Sequence, residues 1–126
     1  MRPAIGARPF SGASEAVTGG WLRLTEPRRL DAVALALYAD AWIPSPYQRL
    51  TEPAGAPTID LTIHFRAPAA AAAVAPDEPI LGMFRSSTSA DGFFEEDGEL
   101  WSPSGVLLAN SRQLALMLPM RRQSAA

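Results

Sequence analysis

Few side chains in this sequence can move a proton near neutral pH. There is one imidazole, His64, and no cysteine. The missing thiol excludes thiolate nucleophiles, disulfides and Cys-based metal sites together. A lone histidine also argues against a zinc site built from protein ligands, so neither metal nor cofactor is expected. The carboxylates must therefore carry any acid–base chemistry. Asp60 heads an alternating segment, TIDLTIHFR over 58–66. There Leu61, Ile63 and Phe65 point one way, and Asp60, Thr62, His64 and Arg66 the other. Residues four apart on a strand are separated by roughly 13 Å, so Asp60 and His64 share a face without forming a dyad. His64 is expected on a surface or an interface.

Two polar groups without basic character stand out beside Asp60. Thr88 lies in RSSTSA over 85–90, and Gln113 sits between Arg112 and Leu114 in an otherwise apolar stretch. A hydroxyl and a carboxamide hold a water by hydrogen bonds but do not usefully take its proton. A buried Gln113 would need partners. Asp40 opposes the dipole near the end of a helical stretch, and a bond to backbone in the 43–46 turn is its simplest role. Glu95-Glu96-Asp97 is most simply a solvated edge or turn. Neighbours on a strand face opposite ways, which weakens any metal-binding reading of that run.

The elements that must position these groups begin with a lead-in, residues 1–15, rich in Pro, Gly and Ala and expected to be irregular. Residues 16–24 (AVTGGWLRL) suit a strand, with Gly19-Gly20 permitting a bulge or a close backbone approach. Thr25 and Pro27 suit the cap and first turn of a helix. Arg28 to Trp42 is the clearest element. Leu30, Val33, Ala34, Leu37, Tyr38, Ala41 and Trp42 follow the spacing of one helical face, while Leu35, Ala36 and Ala39 grease the other. A helix apolar nearly all round should be buried. Pro44 and Pro46 end it.

After a loop comes the 58–66 strand, then an alanine-rich stretch at 69–73. Alanine favours helix, but the flanking prolines suggest a connector of variable structure. The remainder suits an antiparallel meander. Ile80 to Ser89 forms one strand, Asp91-Gly92 and Asp97-Gly98 offer turns or bulges, and Pro103-Ser104-Gly105 closes a hairpin into Val106 to Leu118. Residues 120–126 are expected to be a disordered tail. The fold class is thus α+β, a sheet wrapped around one buried helix.

Bulk properties fit a single soluble domain. The 126 residues are 48% hydrophobic and 19% charged, with a net charge of −2. That charge offers no electrostatic case for nucleic acid or an anionic membrane. No apolar run approaches a membrane span and no signal segment opens the chain, which makes the cytoplasm the expected location.

The order of strand, buried helix and meander is that of a hot-dog fold, and local sequences sharpen the match. ALALYADAW (34–42), PTIDLTIHFR (57–66), RSSTSA (85–90) and GELWSPSGVLLANSRQ (98–113) resemble, in order, segments of the second repeat of acyl-CoA thioesterase II-type enzymes. These are double hot-dog proteins, and the resemblance spans roughly residues 17 to 118. It implies thioester hydrolysis by a water oriented by an Asp, a Thr or Ser, and a Gln. The matching residues are Asp60, Thr88 (with Ser87 or Ser89 in a shifted register) and Gln113. Leu61 stands where some members carry His. The oxyanion would meet N–H groups at the helix N-terminus near Arg28-Arg29. Because the family builds its substrate tunnel between two repeats, one repeat implies half a site. A second copy or another hot-dog chain is therefore the expected partner, and acyl-CoA the expected ligand. The alternatives are a non-catalytic acyl- or CoA-binding subunit and, against the strand location of His64, a hydratase.

Overall fold

The computed structural model describes residues 1–120. The residues expected to form a C-terminal tail lie outside these, apart from Met120. No described helix is long and apolar enough to cross a membrane.

The chain forms β1 (Arg2–Ile5), β2 (Ala16–Leu22), α1 (Ala32–Ala41), a 3-10 turn (Ser45–Gln48), β3 (Ala54–Gly55) and β4 (Thr58–Phe65). After these come α2 (Pro68–Ala72), β5 (Ile80–Ser86), β6 (Ser89–Ala90), β7 (Phe93–Trp101), β8 (Leu107–Leu116) and β9 (Leu118–Pro119). One antiparallel sheet runs β1-β2-β5-β7-β8-β4, with β6 added beside β7, and β3 and β9 pair separately. The sheet's inner face carries Leu22, Ile80, Phe84, Leu100, Leu108 and Ala109, which close over Leu30, Ala34, Leu35, Tyr38, Ala39 and Trp42 of the helical segment. This is the hot-dog arrangement, a sheet curled around one main helix. The core contains Phe84, Ile80, Leu100 and Leu108 at 2% exposure or less. Each such side chain contributes roughly 1.5–3 kcal/mol by leaving water.

Four local expectations need correction. The first concerns the lead-in, which is not wholly irregular, because β1 adds to the edge of β2. Gly20 permits this, since a Cβ there would run into the Arg2 carbonyl. Pro3 is tolerated because an edge strand need not donate on both sides. The second concerns the start of α1. Asp31, and not Thr25, is its cap, with an extended backbone and a carboxylate that accepts the Ala34 N–H at 2.9 Å. Arg28 and Arg29 consequently precede the helix. The third concerns burial of α1, which is one-sided. Val33 is 66% and Leu37 51% exposed.

The fourth concerns Asp97-Gly98, which makes no turn but continues β7. Glycine is needed there for packing, because a Cβ would approach the Phe84 ring to 2.9 Å. The hairpin at Pro103-Ser104-Gly105 forms as expected, with Gly105 at φ +88°. The alanine run resolves as the short helix α2, with Pro68 in its first turn and Ala71 buried.

Candidate active site

Gln113 is the sequence-selected residue that the fold draws inward. On β8 it lies opposite Glu96 of β7 and Leu61 of β4. Cross-strand partners share a face, and here the face is the one carrying Phe94 and Leu100 toward the helix. Gln113 Nε2 donates to Thr58 Oγ1 in a short contact, and reaches Asp40 Oδ1 at 3.5 Å. A pocket of about 330 Å³ opens here, with Asp40, Trp42, Thr58, Phe94, Glu96 and Gln113 among its lining. It sits at the C-terminal end of α1.

Asp60 is placed differently. A bulge between Thr58 and Asp60 sets Thr58 opposite Ala115 and Asp60 opposite Leu114. The extra residue, Ile59, lets Thr58 face the pocket while Asp60 faces outward with Leu114. Asp60 is exposed. No hydrogen bond joins it to Thr88 or Gln113 among the described residues.

Thr88 occupies the tight turn between β5 and β6. Its N–H and that of Ser87 both donate to Glu95 Oε1 at 2.6 Å, and its carbonyl accepts the Glu95 N–H at 3.3 Å. Its hydroxyl has no hydrogen-bond partner among the described residues, and Thr88 lines a cleft that also includes Arg49, Ser86 and Met117. Glu95 lies opposite Leu114, and Leu114 opposite Asp60, so Asp60 and Glu95 share the outward face, while Thr88 lines its cleft with Pro46 and Arg49 of the 3-10 turn region. About three strand spacings, roughly 14 Å, separate Asp60 from Thr88. Within one chain, therefore, the three expected residues are not gathered into one contact.

The acidic run divides by face. Glu95 and Asp97 point outward, where Arg112 approaches them at 3.7 and 3.4 Å. Glu96 points inward and is buried, which corrects its reading as part of a solvated edge. Its Oε2 accepts the Ser45 N–H at 2.6 Å and the Ser45 hydroxyl at 2.7 Å. Thus Glu96, and not Asp40, satisfies the 43–46 turn. Burial pushes the Glu96 carboxyl above its ordinary range. The two Ser45 bonds pull it down, and the neighbouring Glu95 and Asp40 carboxylates push it up. Sequence reasoning missed Glu96, although strict alternation from Phe94 through Leu100 would have turned it inward.

The far end of α1 is apolar. A second pocket, about 280 Å³, is lined by Leu30, Leu35, Phe65, Pro68, Ala71 and Leu108, with Arg29 and Asp31 at its rim. Asp31 already occupies the helix N-terminus. The Ala34 N–H bond is the largest cause holding its carboxyl below the usual range, with Arg28 adding to it. The expected oxyanion site near Arg28-Arg29 is therefore not formed, because those residues precede the helix and Asp31 has taken a first-turn donor.

Comparison with known proteins fits this architecture. The family model of the acyl-CoA thioesterase C-terminal domain matches residues 2–117. A hot-dog protein of unknown function from Alicyclobacillus acidocaldarius is similar at 33% identity and a TM-score of 0.86, over 95% of this chain and 45% of its own. A putative thioesterase II from Thermobifida fusca is similar at 29% identity and a TM-score of 0.70, over 83% of this chain and 38% of its own. An acyl-CoA thioesterase II from Mycobacterium marinum shares the fold at 21% identity and a TM-score of 0.66, over 100% of this chain and 46% of its own. No curated protein matches the chain. The chain spans less than half the length of these three solved relatives. With a match over nearly its whole length and a sheet wrapped on a single main helix, the chain belongs to the acyl-CoA thioesterase C-terminal domain family.

Proposed function

We propose that this chain is one half of an acyl-CoA thioester hydrolase, and that Gln113 marks where substrate and water meet it. The observation carrying this reading is the pocket at the C-terminal end of α1. There a carboxamide, a hydroxyl and two carboxyl groups converge beside Trp42 and Phe94, in a chain of thioesterase family. Hydrolysis needs an oriented water, a group to accept its proton and donors for the oxyanion. Gln113 supplies the orientation. Asp60 is assigned as the proton acceptor and Thr88 as a second water ligand.

Joining Asp60 and Thr88 to Gln113 is assigned to the paired state, in which a second hot-dog covers this one. Asp60 lies at a bulge on β4, the last strand of the sheet, and bulges at sheet edges re-aim side chains. Three observations support pairing. Among the described residues, the β4 edge has no further strand beside it. Val33 and Leu37 form an apolar strip on the open side of α1. The solved relatives are about twice as long. A homodimer or a partner chain of the same fold would supply the missing half, and acyl-CoA would bind between the halves.

The test is release of free CoA from a series of acyl-CoA thioesters, run beside a solution mass measurement. Turnover by an assembly larger than one chain is expected, with Asp60→Asn lowering kcat/KM by about 100-fold. The rival reading is a subunit that binds acyl-CoA without cleaving it, and the separation of Asp60, Thr88 and Gln113 within one chain favours it. Tight acyl-CoA binding with no CoA release would establish that rival.

A further inference from the structure

The hydrolase reading leaves one need unmet, because Asp31 caps the helix end where oxyanion donors were expected. Glu96 answers it from inside the Gln113 pocket. The residue is 6% exposed. Its Oε2 is taken up as an acceptor by both donors of Ser45. With Oε2 so engaged, a proton on this carboxyl is assigned to Oε1, which has no hydrogen-bond partner among the described residues, and Glu96 lines the pocket. Capping the 3-10 turn accounts for Oε2 alone.

The surroundings favour the neutral form. Of the elements packed around Glu96, α1 presents Asp40, β7 itself adds Glu95, and β8 and the 3-10 turn offer the uncharged Gln113 and Ser45. Arg112 turns to the opposite face to meet Glu95 and Asp97. Among the described residues, no cation lines the pocket. Burial and the two carboxylates therefore outweigh the Ser45 bonds, which is the direction of the Glu96 shift.

We propose that Glu96 works as a neutral carboxylic acid whose Oε1–H receives the oxyanion of the thioester, together with the Gln113 Nε2–H that in the free chain reaches Asp40 at 3.5 Å. The inference rests on the hydrolase reading. As the water oxygen bonds to the carbonyl carbon, an Asp60 brought to the pocket by the pairing proposed above takes the water's proton, and the carbonyl π electrons move onto oxygen. When that oxyanion collapses, the C–S bond breaks and the thiolate recovers the proton from Asp60. Glu96 loses no proton in the cycle. It offers a fixed donor where charge develops.

The experiment is a pH–rate profile of CoA release by the full chain in its natural assembly, for wild type, Glu96→Gln and Glu96→Ala. A Gln keeps an N–H donor toward the pocket and a carbonyl oxygen for Ser45, but does not titrate. Wild-type kcat is expected to fall as pH rises through the folded pKa of Glu96. Glu96→Gln is expected to stay within about 10-fold of wild type and to lose that fall, while Glu96→Ala loses about 100-fold in kcat with little change in KM. An inactive Glu96→Gln beside a wild type whose rate rises with pH would overturn the proposal, since Glu96 would then be a base. Full activity in Glu96→Ala would overturn it too, leaving only the cap. Should that variant fail to fold, Ser45→Ala removes one bond favouring the ionised form and is expected to move the fall to higher pH; an unmoved profile counts against the proposal. No CoA release by wild type on any acyl-CoA would instead defeat the hydrolase reading, and the role of Glu96 with it.

Discussion

The two ends of α1 open onto pockets of similar size and opposite character. At the N-terminal end, Leu30, Leu35, Phe65, Ala71 and Leu108 line an apolar hollow behind Asp31. At the C-terminal end, Asp40, Thr58, Glu96 and Gln113 line a polar one. Helix N-termini ordinarily attract anions through their free N–H groups and dipole. Here the chain's own carboxylate has filled that role, so the end suited by physics to an oxyanion serves stability. The polar groups gather at the end where the dipole is unfavourable to negative charge. On the proposed reading, the first pocket takes the acyl chain and the second the water chemistry.

If this division holds, mutations at the two ends should separate activity from stability. The largest expected effect is on turnover. Gln113→Ala should lower kcat/KM by about 100-fold in a CoA-release assay, with the melting temperature nearly unmoved because Gln113 is only part-buried. At the apolar end, Leu35→Ala should do the reverse. Leu35 is 2% exposed, so its truncation is expected to cost about 2–5 kcal/mol in chemical denaturation, and to leave the pH–rate profile of the remaining folded protein unchanged.

Two smaller effects concern stability against pH. The folded-state pKa of Glu96 is raised, so its contribution is fully present below the unfolded value, about 4.3. It is lost as pH rises through the folded value. Melting temperature should therefore decline over that interval, and Glu96→Gln should flatten the decline. Asp31 has the opposite sign. Its pKa is lowered, chiefly by the Ala34 N–H, so its contribution is present above the ordinary carboxylate value, about 3.9, and lost as pH falls through the folded one. Asp31→Ala should lower the melting temperature by a few degrees near neutral pH and hardly at all in strong acid.

How much of this was visible in the sequence follows from how local each cause is. The apolar spacing through Trp42 located α1, and alternation located β4, because both patterns arise from the geometry of a single element. Gly19-Gly20 signalled a close backbone approach but not what approached, since β1 is paired from a distance. The cap was placed too early because Thr25 and Pro27 make a plausible start, and only packing showed that Asp31 has the better geometry. Gln113 was legible as a polar residue in an apolar strand. The outward turn of Asp60 was not, because one bulged residue, Ile59, reverses the alternation. Glu96 was hidden by its acidic neighbours, which made three residues on two faces look like one solvated run.

The most direct measurement is a crystal structure of the natural assembly with an acyl-CoA analogue in which CH2 replaces the thioester sulfur and the carbonyl is retained. The carbonyl oxygen is expected within about 3 Å of both Gln113 Nε2 and Glu96 Oε1, with the acyl chain leading away from them. A carbonyl seated instead beside Asp31 and Phe65, with the Gln113 pocket left to solvent, would contradict the division of labour between the two ends of the helix.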